Sequence, residues 1–244
     1  MKIDLNLCFP QLKEFIFHEE TIKNASICTV YNYYRDLILF FKYIKSIKKE
    51  TNTNDKIENT DITDIDTKFL SSITYEEIKQ YFFYLKSVKN NNAATRKRRV
   101  ISLRNFFRFL NLTVEVIDSD PTKKLVTPKL NRSLPKFMHE EECIALLNSI
   151  DGTNKERDYC IFVLFINSGI RLSELVGLNY TDIDRQGDVV IRGKGSKERR
   201  IIFNKACLEA LAEYEKFKEI HYQNKERDRD AVFVGRTGKR LTAR

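Results

Sequence analysis

Two short stretches of this chain hold the residues whose types and spacing suit chemistry. The first is Asn167-Ser168-Gly169-Ile170-Arg171-Leu172-Ser173-Glu174-Leu175. It predicts a helix that stops at a glycine, an arginine at the turn, and a second short helix. The second is Gly193-Lys194-Gly195-Ser196-Lys197-Glu198-Arg199. It predicts a glycine-flanked turn between two strands, with Lys194 at the tip, where the backbone can come close to a ligand. An arginine and a lysine, each held at a tight turn, suit the grip on one phosphodiester group. The planar fork of Arg171 can donate two hydrogen bonds to one phosphate. Its competing role is that of a turn residue paired with Glu174.

Composition fits a phosphate-bearing partner. The 244 residues carry a formal net charge of +9, and lysine and arginine displace the counterions condensed on nucleic acid. No apolar run approaches the roughly 20 residues that span a bilayer. The first 20 residues mix charged and apolar side chains, unlike a secretory signal, so a cytoplasmic protein is expected. The five cysteines are scattered and never spaced as Cys-x-x-Cys. That spacing argues against a disulfide framework and against a zinc site; no metal and no cofactor is expected.

The elements that must position these groups follow from periodicity. Leu5 to Glu20 predicts a first helix. Thr29 to Lys48 predicts a second, with Val30, Tyr33, Tyr34, Leu37, Phe40, Phe41 and Ile44 at helical spacing. The polar stretch Glu50 to Thr67 predicts a loop. Thr74 and Glu77 have the form of a capping box that opens a third helix. Thr95 to Leu112 predicts a helix with an apolar stripe of Val100, Leu103, Phe106, Phe107 and Leu110. Much of the rest of that helix is Arg96, Lys97, Arg98, Arg99, Arg104 and Arg108. No acidic residue interrupts this run, so pairing within the helix is unavailable. Arg96, Lys97 and Arg99 are therefore candidate DNA contacts.

Three of the four prolines fall between Pro121 and Pro135, which predicts an extended basic linker. Residues 1–118 are expected to form a helical domain, 119–136 the linker that ends in Lys136, and 137–244 a second domain. Within the latter, Glu140 to Ser149 and Lys155 to Ser168 predict helices. The second of these is apolar almost all round and is expected to be central and buried. Tyr180 to Ile183, Asp188 to Arg192 and Arg199 to Phe203 predict a small three-stranded antiparallel sheet, and Asn204 to Lys218 predicts another helix.

The two motif stretches, with Leu178 and Asp182-Ile183, resemble the first half of the catalytic domain of tyrosine recombinases, nearest the Xer type and its phage and transposon integrase kin. Asp120-Pro121, Pro128-Lys129 and Leu134-Pro135-Lys136 resemble that family's interdomain linker, and the helical N-terminal half resembles its SAM-like core-binding domain. The resemblance implies a mainly α, two-domain chain with an α+β catalytic domain. It implies a site-specific recombinase that binds duplex DNA and cleaves and rejoins strands through a 3′-phosphotyrosyl intermediate, working as a homo- or hetero-tetramer. It assigns catalytic roles to Arg171 and Lys194, a supporting role to Glu174, and DNA contact to Lys197 and Arg199. The family pattern continues with His-x-x-Arg and a nucleophilic tyrosine. No His-x-x-Arg occurs here and the last tyrosine is Tyr222, so the nucleophile is expected to lie outside this chain. The alternative is a non-catalytic DNA-binding remnant or regulator.

Overall fold

A computed structural model describes residues 2–48, 57–130, 134, 136–192, 198–222 and 227–243. The chain divides into two compact units, Met1–Ser133 and Leu134–Arg244.

The first unit is helical: α1 is Pro10–Phe17, α2 Ile27–Lys48, α3 Thr67–Ser71, α4 Tyr75–Ser87 and α5 Ala93–Leu112. A 3-10 turn, Leu5–Leu7, precedes α1 and a π-turn, His18–Ile22, follows it. The expected single helix over Leu5 to Glu20 is thus broken, because Pro10 has no N–H to continue a helix from the turn before it. Helix α4 starts on the predicted box. The Thr74 N–H donates to Glu77 Oε2 at 2.7 Å, and the Glu77 N–H donates to Thr74 Oγ1 at 3.3 Å. For α5, the Asn92 carboxamide oxygen accepts from the Thr95 N–H at 2.8 Å, which starts the helix two residues before the predicted Thr95.

The apolar stripes of these helices meet in one core. Phe9, Phe15, Phe40, Phe41, Phe106 and Phe107 are all fully buried. Their rings pack edge to face, with centroids 4.8 Å apart for Phe9 and Phe41 and 5.3 Å for Phe15 and Phe106. The polar stretch expected as a loop is anchored in its described part, 57–66. Ile57, Ile62 and Ile65 are buried, and buried Lys45 pairs with Asp64 and donates to the Asp61 carbonyl. Three isoleucines spread among polar residues make no helical or strand period, so periodicity alone did not flag them. Residues 119–125 also pack on this unit, through buried Thr122 and Leu125.

The second unit holds α6, Glu140–Asn148; α7, Lys155–Ser168; α8, Leu172–Gly177; β1, Asp188–Arg192; β2, Glu198–Ile202; and α9, Lys205–His221. Helices α7 and α9 pack together, and buried Val232 and Phe233 lie on the same core, with Phe233 stacked on Tyr214 at 5.4 Å. Helix α7 is less central than expected. Cys160, Val163 and Leu164 are buried, but Tyr159, Phe162 and Ile166 each keep more than a third of their surface exposed. Its apolar composition hid the fact that only one face meets the core.

Strands β1 and β2 pair antiparallel, with Asp188 opposite Ile202 and Arg192 opposite Glu198. The expected third strand is absent among the described residues. The Asn179 N–H donates to the Asp182 carboxylate at 2.8 Å and folds Tyr180–Asp182 into a 3-10 turn, leaving only Ile183 to bridge Val189. Gly187 enters β1 at φ +86°, and a Cβ there would sit 2.4 Å from the Phe203 carbonyl oxygen, so only glycine fits.

Candidate active site and nucleic-acid interface

The site is built on the turn between α7 and α8. Gly169 ends α7 in the left-handed region at φ +59°. Ile170 plugs into the core at 3 % exposure, which throws the next side chain, Arg171, out to solvent. The Arg171 N–H donates to Glu174 Oε2 at 2.9 Å, half of a capping box that fixes the start of α8. The Arg171 guanidinium also donates to Glu174 Oε1 at 2.8 Å. Arg171 thus pairs with Glu174 while its side chain stays 68 % exposed.

Glu174 itself is nearly buried, and its Oε2 accepts a further bond from Arg199 at 2.7 Å. Arg199 stands opposite Ile191 in the hairpin register, and cross-strand partners share a sheet face. Ile191 is buried, so Arg199 turns toward the α8 turn, while Arg200, its neighbour in the strand, is exposed. Arg199 therefore lies against Glu174 and, at 3.5 Å, the Gly169 carbonyl.

Burial pushes the Glu174 carboxyl pKa up, but the N–H and guanidinium of Arg171 and the guanidinium of Arg199 outweigh it and bring the value down to about 2. A carboxyl lowered from an ordinary 4.5 contributes stability that is fully present above 4.5 and lost as pH falls through about 2. The expected result of a carbon-13 NMR titration of the Glu174 carboxyl is a midpoint near 2. A midpoint at the ordinary value would show that the two-arginine clamp does not form in solution.

Lys194 and Lys197 lie outside the described residues. Lys136 is exposed at the start of the second unit. The basic run of α5 is more occupied than its sequence indicates. Arg98 pairs with Asp36 of α2 at 2.6 Å. Arg99 donates to the Tyr81 hydroxyl at 3.1 Å and lies 3.6 Å from Asp36. Arg96 donates to the Asn91 carbonyl and Arg104 to the Leu125 carbonyl. The lack of acidic partners held within the helix but not across to α2. Asp36 is the residue that sequence reasoning missed. Its signal was available: it is the sole carboxylate in the 22 residues of α2. Lys97 makes no ion pair among the described residues and is half-exposed.

A second buried network holds the C-terminal part of this unit. Lys218, buried on α9, bonds the Tyr180 hydroxyl and donates to the Val232 carbonyl at 3.1 Å. Arg240 donates to the Val176 and Leu178 carbonyls at 3.3 Å and to Asn179 Oδ1 at 2.6 Å, so the 231–241 segment is tied to the end of α8. Tyr222 is buried at 4 % exposure and donates to the Gly235 carbonyl at 2.9 Å.

The chain thus holds a helical unit together with an arginine turn and a strand hairpin. Residues 136–244 match the model of the phage integrase family. The chain is 32 % identical over 240 residues to the tyrosine recombinase XerC of Myxococcus xanthus, covering 96 % of this chain and 73 % of that protein. It therefore belongs to the tyrosine recombinase family. It is 36 % identical over 235 residues to the XerC of Caldanaerobacter subterraneus, covering 96 % of this chain but only 65 % of that protein's length. The fold resembles that of the XerH site-specific recombinase bound to palindromic difH substrate, at TM-score 0.68, 20 % identity and coverage of 98 % and 65 %. It also resembles a lambda integrase tetramer bound to a Holliday junction, at TM-score 0.59, 14 % identity and coverage of 95 % and 62 %. No helix among the described residues is long and apolar enough to cross a membrane.

Proposed function

We propose that this chain carries the DNA grip and the first half of the active site of a site-specific recombinase of the Xer type. The enzyme cleaves and rejoins duplex DNA through a 3′-phosphotyrosyl link. The observation that carries this reading is the Arg171 turn, in which a nearly buried carboxylate accepts from the backbone N–H and from one terminal nitrogen of an exposed arginine. Such a group is preorganised to meet charge as it develops on a phosphate. In this reading 1–118 is the core-binding domain, 119–136 the basic linker and 137–244 the first part of the catalytic domain. Arg171 contacts the scissile phosphate and Lys194 the leaving 5′-oxygen. Arg96, Lys97, Lys136 and Lys197 contact the DNA backbone. Arg99 holds α5 to Tyr81 and Asp36 rather than reaching out. The working assembly is a homo- or hetero-tetramer on DNA. It acts in the cytoplasm, in keeping with five cysteines that all stand unpaired.

The test is covalent trapping. The product of the whole reading frame, incubated with a nicked suicide duplex, is expected to yield a protein–DNA adduct that resists denaturant. Absence of an adduct, with DNA binding intact, would favour the second reading, a binding protein that does not cut. The burial of Tyr222 and its bond to the Gly235 carbonyl favour that second reading.

A further inference from the structure

Three charged groups meet at the α8 turn, and their stoichiometry matters. Arg171 and Glu174 alone form a neutral pair, and a neutral pair offers little to a phosphate. Arg199 adds the second guanidinium and brings the cluster to a net charge of +1. Its side chain is 40 % exposed but is engaged toward the turn. It lies on the same sheet face as buried Ile191, it bonds Glu174 at 2.7 Å, and its Nε is buried without a hydrogen-bond partner. The side chain of Arg171 is 68 % exposed, whereas that of Glu174 is 7 % exposed. Without Arg199, the nearly buried carboxylate would have Arg171 as its sole charged partner among the described residues and would hold it inward.

We propose that Arg199 is a positioning residue: it offsets the charge of Glu174, so that the Arg171 guanidinium stays available to a DNA phosphate. This rests on the reading of Arg171 as a phosphate grip. Arg199 also couples the two motifs. It sits on β2, and through Glu174, 25 residues before it in the chain, it fixes the turn that carries Arg171.

The experiment measures the salt dependence of binding to a short duplex of arbitrary sequence, using the full chain. Each phosphate contact contributes about 0.9 to the slope of log affinity against log salt. Arg171→Ala is expected to lower the slope by about 0.9, and Arg199→Ala by the same step. The double variant Arg171→Ala/Arg199→Ala should lose one step rather than two. Arg199→Gln, which keeps donors for Glu174 and the Gly169 carbonyl but removes the charge, should match Arg199→Ala. The decisive arm is Arg199→Ala/Glu174→Gln, in which the carboxylate is gone and the slope should return.

Two additive steps in the double variant would mean that Arg199 touches phosphate itself, which overturns the proposal. A lost step that Glu174→Gln does not restore would mean that Arg199 only supports the fold, which overturns it too. An unchanged slope in Arg199→Ala overturns it directly. If Arg171→Ala alone leaves the slope unchanged, the reading of Arg171 as a phosphate grip fails, and the positioning role falls with it.

Discussion

Arg171→Ala, introduced into the product of the whole reading frame, is expected to slow covalent adduct formation on a nicked duplex by about 10²–10³-fold, the loss of roughly 3 kcal/mol of transition-state stabilisation. When a tyrosine attacks a DNA phosphate, charge grows on the non-bridging oxygens. A donor already fixed in place stabilises that charge without reorganising. Arg171 is fixed in this sense: its N–H and its guanidinium are both bonded to Glu174, at 2.9 and 2.8 Å, and Glu174 is clamped by Arg199. The same substitution should weaken binding far less, because one phosphate contact among many is lost. Arg171→Lys should fall between wild type and alanine, since an ammonium keeps the charge but not the planar two-donor fork. The measurement is the rate of adduct appearance in quenched single-turnover reactions at saturating protein. An Arg171→Ala rate equal to wild type would remove Arg171 from the chemistry.

The contrast between what sequence pattern shows and what it hides runs along one line: short-range signals were legible and long-range pairings were not. The capping box at Thr74 and Glu77, the glycine stop at Gly169 and the aromatic stripes of α2 and α5 are all encoded within a few residues, and the structure realises each of them. The Arg98–Asp36 pair spans 62 positions and the Arg199–Glu174 pair 25. No local period reports such contacts, so α5 read as a face of unpaired arginines and the pairing of Arg199 with Glu174 was not foreseen. The missing third strand has a different cause. Tyr180 to Ile183 has strand-like residues, but the Asn179–Asp182 bond offers the backbone a tight turn instead. The position of Arg171 was legible because glycine, apolar residue and arginine are consecutive. What holds it, the carboxylate of Glu174 and the second arginine bonded to it, was legible only in part, through Glu174 three residues on.

Asp36→Ala is expected to lower the stability of the first unit by about 3 kcal/mol, at the lower end of the range for removing one partner of a buried ion pair. Asp36 is 2 % exposed and ties α2 to α5 by accepting from Ser102 at 2.7 Å and Arg98 at 2.6 Å, with Arg99 beside it. Alanine would leave the buried Ser102 hydroxyl only its 3.3 Å bond to the Arg98 carbonyl, and Arg99, only 15 % exposed, only the Tyr81 hydroxyl. Arg98 is 41 % exposed and can swing into water, which limits the loss. Desolvation works against the charged form of Asp36. Burial raises its carboxyl pKa above the ordinary 3.8, even though Ser102, Arg98 and Arg99 all pull it down. With a raised pKa, the proton-linked part of the stability is fully present below 3.8 and is lost as pH rises through the folded value. Asp36→Asn imitates the protonated form, so it should cost roughly half as much as alanine or less and should abolish that pH dependence. Hydrogen exchange of the α2 and α5 amides in the intact chain checks both variants, since it reports opening of this unit alone. If the asparagine variant lost as much protection as the alanine one, the ionic charge rather than the hydrogen-bond geometry would be what holds these two helices together.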